Sequence, residues 1–279
     1  MIIWIASYPK SGNTWIRSLL STYLYSDDGS FNFSLLNKID QFPGKHHFDF
    51  FLKDFKNLKK ISSYWVAAQE RLRLSKDGNF FLKTHNSLCT VENNPFTNKN
   101  NTMAAIYVVR DPRNIITSLS HHYNMNLEEA FNFMTNSQIT LVDKKNYASV
   151  VQPLGDWSNH FRSWKSIKFA PFLIIKYEDL IHDTKKTFLE VLNFLKQFIN
   201  VKIDEDKVLK TIESCAFDNL SEREKLEGFK ESVYSTGSQN KLKFFYLGKK
   251  NNWKRLLDKK MEKKIRSIFP KEMEELGYF

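Results

Sequence analysis

The chain reads as an α/β protein, a three-layer α/β/α arrangement around a central parallel sheet. Three observations predict this. The runs 2–6, 79–84, 103–109 and 171–176 are short and rich in apolar residues without strict alternation, as strands covered on both faces are. Stretches with apolar residues at helical spacing lie between and after them, and strands alternating with helices favour parallel pairing. The 279 residues, 42% of them hydrophobic, supply the core of one domain spanning 1–279.

Each element has its own signal. Ile2 to Ala6 is the first strand, Pro9 and Gly12 punctuate a loop, and Trp15-Ile16-Arg17-Ser18-Leu19-Leu20 opens a helix. Residues 29–58 are Phe-rich, with Pro43, Gly44 and His46-His47, and read as a loop-rich insertion with short helices. Ile61 to Leu74 reads as one helix. Asn79 to Thr84 is a short buried strand, and Asn93 to Asn101 a polar loop around Pro95. Met103 to Val109 is the most continuous apolar run and so the central strand. Pro112 fits a helix start, with the helix continuing from Asn114 to Tyr123. Leu127–Asn136 and Trp157–Ile167 are helical, Pro171–Lys176 is a strand, and Thr184–Phe198 and Asp204–Ile212 are helices. The basic stretch from Lys241 to Phe279 ends in helices.

Composition narrows the partners. Lys and Arg number 42 against 31 Asp and Glu, a net charge of +11, which suits an acidic partner. The basic residues are spread along the chain with no basic helix or aromatic RNA motif, so the reading is no nucleic acid. Two cysteines, Cys89 and Cys215, lie far apart without metal-ligand spacing, as in a reducing compartment. No run is long enough to span a membrane, and the first strand starts at residue 2, where a leader would lie. A cytoplasmic location is expected.

Strand, tight loop and helix start in that order make an anion cradle. Backbone N–H groups at the helix start face the loop, and the helix dipole adds partial positive charge. Ser11, Asn13 and Thr14 offer side-chain hydrogen bonds and Lys10 a full charge. The loop is P-loop-like, yet the nucleoside-triphosphate version puts Lys after its second Gly. Here Asn13 fills that slot, and the cation is Lys10, ahead of Gly12. Ligands of such sheets bind at the carboxyl ends of the strands. Those ends carry Lys10, then Lys83-Thr84-His85, then Arg110-Asp111, then Tyr177-Glu178-Asp179, and they are expected to converge. Glu178 and Asp179, adjacent on a segment that reads as extended, point apart and are structural rather than a catalytic pair. Arg113 reads as a solvated surface charge.

Tyr8-Pro9-Lys10-Ser11-Gly12-Asn13-Thr14-Trp15 resembles the 5′-phosphosulfate-binding loop of the cytosolic-type sulfotransferases, Y-P-K-S-G-T-T-W, with Asn13 the one change. Lys83-Thr84-His85 resembles that family's K-T-H segment, which implies His85 as general base with Lys83 assisting. The Leu-Pro that usually follows is here Asn86-Ser87. Val108 to Arg113 resembles the 3′-phosphate segment, pairing Arg110 with Ser118 eight residues on. Tyr177-Glu178-Asp179-Leu180 resembles the Y-E-D-L segment, whose Tyr contacts the nucleotide. Trp15 and Phe217 are the implied adenine partners. Only the aromatic of the family's T-S-F pattern survives in Cys215-Ala216-Phe217, and plain core packing is the alternative for Phe217. Gly155 to Trp164 resembles a further segment, whose Trp residues and His160 read as packing. Gly248 to Lys254 resembles the R-K-G-x-x-G-x-W-K loop that closes over the 3′-phosphate. Gly248, Trp253 and Lys254 match. Tyr246-Leu247 replaces the Arg-Lys, and Lys249 and Lys250 are assigned its charge. The motifs run from residue 4 to residue 254 in family order.

The resemblance implies 3′-phosphoadenosine 5′-phosphosulfate as donor co-substrate and transfer of its sulfuryl group to a hydroxyl or amine of a small-molecule acceptor, partly apolar; that group carries less charge than a phosphoryl group and no carboxylate pair stands out, so no metal is expected. His85 takes the acceptor proton, while Lys10 and Lys83 neutralise charge developing in the transition state. Residues 31–55 and His121-His122-Tyr123 are expected to shape the acceptor pocket. Family members of the secretory pathway carry an N-terminal membrane anchor; the sequence has no such segment, and no membrane partner is expected. Nothing in the sequence sets an oligomeric state. One rival is a P-loop kinase, opposed by Asn13 in the Lys slot and by Arg110 where an apolar strand should end in a Walker-B Asp. The other is a degenerate, non-catalytic nucleotide-binding protein, which the altered C-terminal loop leaves open.

Overall fold

A computed structural model describes residues 1–76, 78–141, 150–233 and 241–279. The main sheet contains β1 (Ile2–Ser7), β2 (Asp40–Gln41), β3 (Phe80–Thr84), β4 (Thr102–Val109) and β5 (Phe172–Lys176), in the order β2-β3-β1-β4-β5. All its pairings are parallel.

β1 is central and wholly buried. Its side chains alternate between two apolar layers. Ile2, Trp4 and Ala6 join Tyr107, Phe161 and Trp164 on one face, and Ile3 and Ile5 join Ile16, Leu19 and Phe188 on the other. Helices α1 (Asn13–Tyr25) and α4 (Thr184–Leu195) cover the second face, α2 (Pro112–Tyr123) and α3 (Trp157–Lys165) the first. The result is the three-layer arrangement that the sequence pattern predicts. No helix among the described residues is long and apolar enough to cross a membrane.

Four local expectations are corrected. Residues 61–74 are not one helix: Leu58–Ser62 and Trp65–Ser75 are separate, with Tyr64 non-helical between them at φ −112° and ψ 1°. The expected loop around Pro95 contains a hairpin, in which Thr90–Val91 pairs with Asn94–Pro95 and Glu92 and Asn93 take the positive φ of its turn. Tyr177–His182 is a short helix rather than an extended segment. Glu178 is structural all the same, accepting from the Asp111 N–H at 3.1 Å and the Tyr278 hydroxyl at 2.9 Å.

The fourth correction is Arg113, which is buried rather than solvated. Its guanidinium bonds the Asp111 carboxylate at 2.7 Å, donates to the Tyr278 carbonyl and lies 3.9 Å from the Trp253 ring centroid. The reason is long-range: C-terminal residues cover the start of α2, so a position that would face water in the isolated helix faces a carboxylate. Removing one partner of a buried ion pair strands the other, at a cost of about 3–5 kcal/mol. Arg113→Ala should therefore lose about that much stability in urea denaturation, and a loss below about 1 kcal/mol would contradict the assignment.

Candidate active site

The parallel ladders end level: Ala6 pairs with Thr84, Ser7 with Val108, and Val109 with Lys176. One residue further on, Ser7 meets His85 and Arg110 meets Tyr177, so the register brings the predicted strand-end residues to one edge.

The loop after β1 is held by its own side chains. Asn13 Nδ2 donates to the Ile5 carbonyl and to Ser7 Oγ, both at 3.1 Å. Its NH2 is spent on the strand end while its Oδ1 is buried without a partner, which leaves backbone N–H groups for a ligand. Lys10 and Gly12 take positive φ, +65° and +103°. Any side chain at Gly12 would run into the Tyr177 ring. The Ser11 hydroxyl is buried without a partner. Lys10 Nζ sits over the Phe244 ring, 3.9 Å from its centroid. Burial, reinforced by the charges of Arg110 and Lys83, pulls the Lys10 ammonium down to about 7 despite Glu231. Burial likewise lowers Lys83 to about 8.

Glu231 is a residue the sequence reading does not single out. Its Oε1 lies 2.6 Å from Arg17 Nη1, and its Oε2 lies 3.1 Å from Thr14 Oγ1 and 3.5 Å from Lys83 Nζ. Burial would raise its carboxyl. Lys83 and Arg17 beside it, with hydrogen bonds from Arg17 and Thr14, hold it well below the carboxylate range.

His85 has a defined tautomer. Its Nδ1 is 2.8 Å from the Ser7 carbonyl, which can only accept. Nδ1 therefore carries the proton and Nε2 keeps its lone pair. Burial, then the Lys83 charge, holds the imidazole well below its ordinary range, so it is neutral at pH 7. The His85 carbonyl accepts from His160 Nε2 at 3.0 Å, and His160 Nδ1 accepts from the Tyr107 hydroxyl at 2.8 Å. His160 is thus a packing residue, as its sequence context suggests, and one that fixes the backbone of His85.

At the neighbouring strand end, Arg110 and Ser118 come together. Arg110 Nη1 donates to the Lys10 carbonyl at 3.0 Å and approaches Ser118 Oγ at 3.3 Å, while its guanidinium lies over the Tyr177 ring at 4.1 Å. Its Nε is buried and unpartnered. Asn251, which lies in the Gly248–Lys254 segment but is given no role by the sequence, donates to Ser118 Oγ at 2.7 Å and to the Asn114 carbonyl at 2.9 Å, and accepts from Thr117 Oγ1 at 2.6 Å. Ser118 Oγ accepts twice, so its own proton is free for an anion.

The remaining predicted residues vary. Trp15 Nε1 donates to the Cys215 carbonyl at 3.0 Å, which ties Trp15 to the segment ending in Phe217. Gly248 packs flat on Phe217; a Cβ there would lie 2.7 Å from that ring. Lys249 and Lys250 are exposed on a single 3-10 turn, and Asn251 and the Trp253 N–H, not a lysine, make the loop's bonds to α2. Phe42, Phe48 and Phe55, from the Phe-rich segment, belong to the core beneath β1. His121 stacks on Tyr246 with centroids 3.7 Å apart, and His122 meets the edge of Phe244 at 5.7 Å.

A sulfotransferase domain model matches residues 2–277. The luciferin sulfotransferase of Photinus pyralis is 25% identical over 221 residues, covering 77% of this chain and 55% of that protein. The match thus spans little more than half of the firefly protein. The amine sulfotransferase of Oryctolagus cuniculus is 24% identical, covering 98% of this chain and 81% of that protein. A mouse sulfotransferase solved with PAP aligns at a TM-score of 0.61 and 20% identity, covering 98% of this chain and 84% of that one. Retinol dehydratase, solved with androsterone and PAP, aligns at 0.60 and 16%, covering 98% of this chain and 80% of that one.

The depressed Lys10 gives the loop a pH signature. A bound dianion favours the ammonium, so binding above pH 7 should take up a proton. Affinity for inorganic sulfate, which does not titrate in this range, should fall about tenfold or more between pH 6.5 and 9. Calorimetry in buffers of different ionisation enthalpy reads the proton directly. Affinity independent of pH without proton uptake would contradict the assignment.

Proposed function

The chain belongs to the sulfotransferase domain family, and we propose that it transfers a sulfuryl group from 3′-phosphoadenosine 5′-phosphosulfate to a hydroxyl or amine of a small, partly apolar acceptor. The observation that carries this reading is a pair of anion seats at adjacent strand ends, joined by the Arg110 bond to the Lys10 carbonyl. Buried donors without partners fit a ligand with two such groups: Ser11 Oγ at the first seat and Arg110 Nε at the second, with the free Ser118 proton beside it.

The residues divide the work. The 10–14 loop holds the 5′ end of the donor through backbone N–H groups, Ser11 and Thr14. Arg110 and Ser118 hold the 3′-phosphate, and Trp15, Phe217 and Tyr177 flank the nucleoside. Lys249 and Lys250 add long-range charge, while Asn251 orients Ser118. His85 Nε2 accepts the proton of the acceptor as its oxygen or nitrogen bonds to sulfur. The electron pair of the breaking S–O bond stays on the 5′-phosphate oxygen, where Lys10 and Lys83 balance the charge. Catalysis of this kind is mostly positioning and electrostatics. The kinase alternative is disfavoured by Asp111, whose carboxylate is committed to Arg113 and so is not free for a metal at that strand end.

Labelled-sulfuryl transfer to a panel of phenols, alcohols and amines tests the activity. With any accepted substrate, His85→Ala should slow turnover about 10²–10⁴-fold and leave nucleotide affinity within about twofold. Near-normal turnover in that variant would remove the base from His85.

A further inference from the structure

Glu231 stands among groups that the proposed function assigns to the donor. The helix Phe217–Glu227 ends at Gly228, whose φ of +73° turns the chain back. Phe229 then anchors the turn, stacked on Phe33 at 4.8 Å and packed against Phe244 and Phe245. Two residues on, the Glu231 carboxylate reaches Arg17, Thr14 and Lys83. Its Oε2 takes hydrogen bonds from Thr14 and Lys83 together.

The same stretch engages the third cation. Glu224 accepts from Ser232 Oγ at 2.6 Å and from the backbone N–H groups of Phe244 and Phe245 at 2.6 and 2.9 Å, and Leu242 N–H donates to the Val233 carbonyl at 2.7 Å. Glu231 and Phe244 are therefore tied into one unit, and Phe244 carries Lys10 on its ring face. Lys10, Arg17 and Lys83 all meet groups of this unit: an anion for two of them, a π face for the other.

A carboxylate oxygen and a sulfonate or phosphate oxygen offer the same acceptor chemistry to a lysine and a threonine hydroxyl. Two anions do not share such a seat without strong repulsion. We propose that Glu231 is an internal competitor of the donor: its carboxylate holds the Arg17–Thr14–Lys83 seat, leaves it when the phosphosulfate end of the donor binds, and returns as the product nucleotide departs. This rests on the reading of Thr14 and Lys83 as donor-binding groups. A ligand that must displace an internal group binds more weakly by the fraction of time the seat is free. Glu231 thereby weakens nucleotide binding and speeds product release. The opposite role is a fixed brace that aims Arg17 and Lys83 at the donor, and it makes the opposite prediction.

The test compares the wild type with Glu231→Gln and Glu231→Asp. Calorimetry measures 3′-phosphoadenosine 5′-phosphate, AMP and inorganic pyrophosphate at one ionic strength. Stopped-flow displacement measures release of 3′-phosphoadenosine 5′-phosphate. Displacement predicts that Glu231→Gln binds this nucleotide and pyrophosphate about tenfold or more tighter and releases the nucleotide correspondingly more slowly. Its melting temperature without ligand should fall, because Arg17 and Lys83 lose their counter-charge. Glu231→Asp keeps the charge on a shorter stem, folds as the wild type does, and should tighten binding about two- to fivefold. Unchanged or weaker binding in the folded Gln variant overturns the proposal in favour of a brace. If Gln fails to fold, unchanged or weaker binding by Asp overturns it equally. Failure of the donor assignment looks different: 3′-phosphoadenosine 5′-phosphate then binds no tighter than AMP in any of the proteins, while pyrophosphate still reports the effect of Glu231.

Discussion

Level strand ends are the constraint on which the site depends. β3, β1, β4 and β5 run parallel and stop within two residues of each other. Residues at the strand ends therefore meet their neighbours, Ser7 with His85 and Arg110 with Tyr177. A slip of one residue would turn each of these side chains toward the opposite face. It would remove the carbonyl that sets the His85 tautomer and the ring that supports Arg110. The buried layers on both faces, with Trp4 and Trp164 on one and Ile5 and Leu19 on the other, resist that slip.

A second constraint is charge. The edge gathers buried Lys83, Arg17 and Arg110 and half-buried Lys10, and burial penalises isolated cations. The depressed Lys10 and Lys83 are one response and Glu231 is another. Perturbed values of this kind gather where cations crowd in a buried cleft, as they do at sites built for an anionic ligand. The neutral His85 beside Lys83 follows from the same crowding, since a nearby cation and burial both oppose a protonated ring.

Much of this was legible in the sequence, because it is local. The strands, the loop from Lys10 to Thr14, and the segments ending in His85, Arg110 and Tyr177 are contiguous patterns, and parallel alternation brings their ends together. The pairing of Arg110 with Ser118 follows from the family resemblance, an Arg at the strand end and a Ser eight residues on in α2. What escaped is long-range. Glu231 lies 214 residues from Arg17, and a search for cations passes over an acid. Asn251 has no sequence signal because the altered C-terminal loop lacks cations where the pattern has them, and Lys249 and Lys250 are the nearest charges. Arg113 was misread because nothing local announces that Trp253 and Tyr278 cover it. The single helix expected over 61–74 failed at Tyr64, where apolar spacing continues while the backbone does not.

The proposed function requires that this edge hold a nucleotide by two separate anionic groups, one on the 10–14 loop and one at Arg110 and Ser118. Calorimetric comparison of 3′-phosphoadenosine 5′-phosphate with AMP tests it most directly, because the two differ only in the 3′-phosphate. Two seats require at least tenfold tighter binding of the former, about 1.4 kcal/mol, with most of that difference lost in Ser118→Ala. Equal affinity of the wild-type protein for both nucleotides would contradict it.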